Sequence, residues 1–235
     1  MSERTYSRRA LVGGSVITAA LIAETSSRAA LADTGLRVWR PAQETPDAWL
    51  DQPGTRHRLV IDSASAAAAE ASVSMADTFY VTNASGYGLE PQALGVVIVL
   101  RHLATPFAYD DEIWVRFGAS FAQRLGLVGD EAIRATHGNP LLGASASKDD
   151  SQQRKNDGSH APTLTSLAAK GTRFAVCGAA TAYLARVLAT SDTPSARVER
   201  DLRDHLIPGG VLMASGIVAV NRAQEHGYAF LPAMP

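Results

Sequence analysis

Four dipeptides, each following a short apolar run, carry the residue types best suited to chemistry: Asp62-Ser63, Arg101-His102, Cys177-Gly178 and Ser215-Gly216. Cys177, the only cysteine in the chain, is the candidate nucleophile. Where a strand turns into a helix, free amides and the positive end of the helix dipole favour a thiolate, the reactive form of a thiol. Gly178 would let a substrate come close to the backbone there. The alternative role for Cys177 is a small buried hydrophobe, since free cysteine is among the most buried residue types. Arg101 and His102 leave the end of an apolar run together and offer an anion subsite; a surface salt bridge to Asp110 or Asp111 is the other open reading. Ser215 and Gly216 complete the substrate-binding candidates. The histidines His57, His102, His137, His160, His205 and His226 show no His-x-His or His-x3-His spacing, so no metal site is expected. The chain has no Walker loop, no G-x-G-x-x-G and no G-x-S-x-G elbow, which argues against nucleotide, dinucleotide and α/β-hydrolase chemistry, and no cofactor is expected.

Positioning these groups requires strands that end at them. Arg58 to Asp62 is a short apolar run of strand type, and Gly95 to Leu100 is β-branched, uncharged and continuous, as in a parallel sheet covered on both faces. Arg173 to Cys177, Val211 to Ala214 and Tyr228 to Leu231 supply three more strands. Helices are expected from Ala64 to Tyr80, with Ser63 or Ser65 as N-cap, and from Asp110 to Leu125, whose Asp110-Asp111-Glu112 head complements the dipole. Further helices are expected at Leu164 to Lys170, Gly178 to Leu188, Arg197 to His205 and Val218 to His226. Strand and helix alternating along the chain define an α/β fold, an open, mostly parallel five-stranded sheet with helices on both faces. Ligands of such sheets bind beyond the carboxyl ends of the strands, where the four dipeptides lie.

Composition narrows the class further. Of the 235 residues, 46% are apolar and 19% charged, which excludes a disordered tail and a polytopic membrane protein. A formal net charge of -1 excludes a strongly basic nucleic-acid binder. At the N-terminus, Arg8-Arg9 precedes an apolar stretch through Ala23 and a small-x-small site at Ala30-Leu31-Ala32. That order predicts a twin-arginine signal peptide over residues 1–32, cleaved after Ala32, and a periplasmic or secreted product without a membrane span. Residues 33–55 read as an extended arm that packs through its tryptophans, and 56–235 as the α/β domain. The polar stretch at 138–162 reads as a mobile surface insertion.

Four segments resemble one family. Phe174-Ala175-Val176-Cys177-Gly178-Ala179-Ala180-Thr181 is similar to the Ala-Cys-Gly-Asn-Thr turn of DsrE/DsrF-like proteins, with alanines at the Asn position. Leu206 to Val211, Ser215 to Val218 and Gln224 to Phe230 resemble the same family's closing Leu-Pro-Gly strand, Ser/Ala-Gly turn and Gln-Glu-x-Gly-Tyr-Ala-Tyr end. The resemblance implies a flavodoxin-like three-layer α/β sandwich, assembly as a homotrimer or hexamer, and a sulfur donor or acceptor protein as partner. It also implies that Cys177 carries persulfide sulfur. The alternative function is a non-catalytic periplasmic binding or assembly protein that keeps the fold without sulfur chemistry.

Overall fold

The computed structural model describes residues 40–42, 44–143 and 162–234. The expected signal peptide and most of the expected insertion lie outside the described residues. A compact unit runs from Glu44 onward.

Five strands, β1 (His57–Ser63), β2 (Leu94–Leu100), β3 (Arg173–Cys177), β4 (Gly210–Met213) and β5 (Ala229–Pro232), form one sheet in the order β4-β3-β2-β1-β5. Every pairing is parallel. The fold is therefore the α/β class that the alternation of strands and helices predicts. β2, at the centre, is buried along its whole length, which explains why its sequence is uninterruptedly apolar rather than alternating.

Alternate side chains of the strands feed two cores. On one face Ile61, Val96, Ile98, Leu100, Phe174 and Val176 pack in a large cluster. Helices α1 (Ala66–Tyr87), α2 (Asp111–Leu125), α3 (Asp130–Ala135), α4 (Leu164–Ala169), α5 (Gly178–Leu188) and α6 (Ser195–Asp204) belong to this side. On the opposite face Val60, Val97, Val99, Ala175 and Met213 pack against Ala219 and Ala223 of α7 (Gly216–Glu225). The chain thus steps from β1 to β4 with its helices on one side. It then crosses beneath the whole sheet through α7 and lays β5 outside β1.

The local signals explain most helix boundaries. Ser65, rather than Ser63, caps α1 by accepting the Ala68 amide. Asp110 caps α2 from its Oδ1 to the Ile113 amide, with Asp111 and Glu112 in the first turn. α1 runs on to Tyr87, past its expected end at Tyr80, and α3 forms where no helix is expected. Two further stretches also depart from expectation. Within 33–55, Thr45–Leu50 forms a 3-10 turn instead of an extended arm, started by Pro46 and fixed by burial of Leu50 beneath the sheet. The Tyr228 hydroxyl donates to the Leu50 carbonyl at 2.9 Å, and burial pushes that phenol up to about 12. At the other stretch, residues 138–143 are packed, not mobile surface. Asn139 is fully buried, donating to the carbonyls of Phe107 and Tyr109 while its own Oδ1 accepts the Leu141 amide.

Candidate functional site

The order of the strands decides where a crevice opens. β3 leads into α5 on one face, whereas its neighbour β4 leads into α7 on the other. Connections diverging from adjacent parallel strands leave a gap beyond their carboxyl ends, the usual ligand position in this class. A cleft of about 510 Å³ occupies that position. Arg101, His102, Cys177, Ser215 and Gly216 line it, from the ends of β2, β3 and β4. The remaining binding candidate, Gly178, lies beside it.

Cys177 is the N-cap of α5, and its Sγ accepts the Ala180 amide at 3.4 Å. Only one amide faces the sulfur, because that of Ala179 donates instead to the Ala214 carbonyl at 3.1 Å. The residue is 7% exposed, so both sequence readings meet here: it is packed like a core thiol, yet it borders the cleft. Its carbonyl accepts the Thr181 hydroxyl at 3.0 Å, and the Tyr109 hydroxyl lies 2.8 Å from that same Thr181 oxygen. Since the single Thr181 proton is committed to Cys177, Tyr109 is the donor in the second bond. Burial first of all pushes the Tyr109 phenol well above its usual value, so it remains a donor.

The glycines serve packing. A Cβ on Gly178 would fall 2.5 Å from the Met213 carbonyl oxygen, so this residue lets the start of α5 close on the end of β4. That corrects the expectation that Gly178 opens the turn to a substrate. A Cβ on Gly216 would fall 2.4 Å from Cβ of Arg101, which rests against the start of α7. Ser215 caps α7 through the Val218 amide at 3.3 Å. The amides of Gly216 and Ile217, in the first turn, are left for water or a ligand.

Arg101 is committed. Its Nε and Nη2 each lie 2.7 Å from the two carboxylate oxygens of Asp62. That bidentate pair is the first cause of its raised pKa; a weaker Coulombic contribution comes from Cys177. The expected alternatives for Arg101, a free anion subsite or a bridge to Asp110 or Asp111, give way to this pairing. β1 and β2 run parallel in a register that pairs Ser63 with Leu100, so Asp62 and Arg101 emerge at neighbouring strand ends. Asp110 instead meets His205, with Oδ2 3.0 Å from Nδ1. His102 is exposed and holds a φ of +53°, a left-handed conformation that non-glycine residues adopt at a cost and that concentrates at functional sites.

Two cleft residues escaped the sequence reading: Arg124, in the last turn of α2, and Tyr183 of α5. The Arg124 guanidinium sits over the Tyr183 ring, 5.1 Å from its centroid, and no carboxylate among the described residues pairs with it. Leu103, Pro106, Leu125, Leu184 and Ile217 make the rest of the wall mostly apolar. Among the described residues no group of His, Cys, Asp and Glu is placed to hold a metal ion, and no helix is long and apolar enough to cross a membrane.

Fold and site together define an open parallel α/β protein with a thiol-bearing cleft at its topological switch point. No family model, no curated protein and no solved structure matches the chain.

Proposed function

We propose that this chain is an exported, DsrE-like sulfur carrier in which Cys177 accepts and donates a sulfane sulfur. The observation that carries this reading is the position of the thiol: N-cap of α5, one amide directed at its sulfur, at the edge of a cleft between β3 and β4. In the loading step the Cys177 thiolate attacks the sulfane sulfur of a donor persulfide. A bond forms between Sγ and that sulfur, the donor's sulfur–sulfur bond breaks, and the donor leaves as a thiolate with the electron pair. The terminal sulfur is then handed to an acceptor thiolate by the same exchange, so no net redox agent is consumed.

Intact mass before and after polysulfide treatment is the test. A gain of one sulfur atom on the native protein, lost in Cys177→Ser, is the expected result. Serine is itself a good N-cap, so that variant should keep α5 and the fold. No gain in the native protein, or an equal gain in the variant, removes the reading.

A second reading, a non-catalytic binding or assembly protein, draws on the 7% exposure of Cys177. Iodoacetamide separates the two, labelling Cys177 quickly in a carrier and negligibly in a binding protein.

Two companion proposals concern location and assembly. Export rests on Arg8-Arg9 ahead of the apolar stretch, and precursor should accumulate when both become lysine. Assembly as a homotrimer or hexamer draws on β5, an edge strand whose Phe230 is 44% exposed, and light scattering reads it directly.

A further inference from the structure

The cleft is far larger than a small inorganic oxyanion needs. About 510 Å³ falls in the range of pockets that enclose organic molecules. Its walls divide in chemical character. Leu103, Leu125, Leu184 and Ile217 present aliphatic surface, and Ile217 is 74% exposed although nothing in the fold requires an isoleucine there. The polar groups are cationic or donors: the Arg124 guanidinium, which has no carboxylate partner among the described residues, and the first-turn amides of Gly216 and Ile217. The Tyr183 ring lies against two guanidinium groups, 5.1 Å from that of Arg124 and 5.9 Å from that of Arg186, which concentrates positive charge beside the cleft. Such a wall suits a molecule with an anionic head and an apolar body.

Resting on the sulfur-carrier reading, we infer that the donor served by this cleft is an organic thiosulfonate, R–SO2–S⁻ with an apolar R group, rather than inorganic thiosulfate. The step balances without a further reagent. The Cys177 thiolate attacks the sulfane sulfur, a bond forms between Sγ and that sulfur, and the bond from the sulfane sulfur to the sulfonyl group breaks. The sulfinate R–SO2⁻ departs with the electron pair, so its sulfur is reduced while Cys177 is oxidised to the persulfide. Arg124 and the α7 amides hold the sulfonyl oxygens, on which charge remains in the leaving group. The apolar wall takes R.

The experiment compares benzenethiosulfonate with thiosulfate as donors to the full chain, reading sulfur gain on Cys177 by intact mass against time. Benzenethiosulfonate should load at least about tenfold faster, the discrimination that one apolar contact region supplies. Ile217→Ser, at an exposed position that does not threaten folding, should slow benzenethiosulfonate by a larger factor than thiosulfate. Equal rates for the two donors, or an Ile217→Ser effect that is absent or equal for both, overturn the inference while the carrier reading stands. Calorimetry of benzenesulfonate with Cys177→Ser separates the remaining case. Binding there, with no donor loading the native protein, overturns the carrier reading and keeps the organic-anion cleft; absence of binding overturns the cleft assignment itself.

Discussion

The stem of Arg101 occupies the space that a side chain on Gly216 would need. The Arg101 Cβ and Cδ lie 2.4 and 2.8 Å from where that Cβ would be built. The first of these is fixed to the backbone at the end of β2, so the stem cannot swing aside. Gly216→Ala must therefore push the start of α7 away from the sheet, for about 1–3 kcal/mol of overpacking. The measurement is the urea midpoint of native and variant protein. An unchanged midpoint would mean that α7 and the end of β2 are not tightly seated.

Tyr109, Thr181 and the Cys177 carbonyl form a chain in which each hydroxyl donates once. Tyr109→Phe removes the first donor and leaves Thr181 bonded to Cys177, a loss of about 1 kcal/mol. Thr181→Val strands the buried Tyr109 hydroxyl, while the Cys177 carbonyl, as the helix N-cap, keeps the bond from the backbone amide of residue 181; the unpaired hydroxyl raises the loss to about 2 kcal/mol. Chemical denaturation of the two variants checks the ordering. A larger effect from Tyr109→Phe would refute the donor assignment.

His205 ties the end of α6 to the start of α2. Its bond with Asp110 above all, then the charges of Asp110, Glu112 and Asp201, raise its pKa above 6.5. A raised folded-state value means that folding favours the protonated ring. The contribution is accordingly complete below the unfolded value of about 6.5, and is lost as pH climbs through the folded value. The Tm difference between native protein and His205→Gln should shrink from about pH 5.5 to about pH 8.5. A difference that stays flat or grows over that window would show that the pair is not titrating.

Asn139 holds residues 138–143 to the domain by donating to the Phe107 and Tyr109 carbonyls, and braces the segment itself by accepting the Leu141 amide. Asn139→Ala strands two carbonyls and an amide, for about 3 kcal/mol. Hydrogen exchange at Leu141 and Leu142 should accelerate by more than exchange in β2. Uniform acceleration would instead mark a global effect.

The sheet was legible because its strands are continuous apolar runs, and Gly178–Leu188 matched its expected helix end to end. Cys177, Arg101, His102, Ser215 and Gly216 could be grouped on one edge because each lies at or just beyond the carboxyl end of a strand. Local sequence could not give their partners. Asp62 and Arg101 meet only through the β1–β2 register, while Asp110 and Asp111 were merely the nearer carboxylates along the chain. Arg124 and Tyr183 belong to different helices, and their contact depends on how α2 and α5 pack, which no local pattern encodes. The turn at Thr45–Leu50 was missed for a related reason. Its Pro46 reads equally as an extended residue, and only the cavity under Val60 and Val97 that receives Leu50 selects the turn.

The passage of α7 beneath the sheet has a consequence for biogenesis. β5 pairs with β1, so Leu59 waits for Ala229 and Val60 for Phe230. A nascent chain can pair β1 to β3 as it emerges, but one edge of β1 stays bare until residues 229–232 have left the ribosome. Through that interval the growing polypeptide presents an apolar template for strand addition, the state in which holding chaperones are most needed. Ribosomal pausing shortly before Ala229 would lengthen that exposure, whereas pausing within α1 would not.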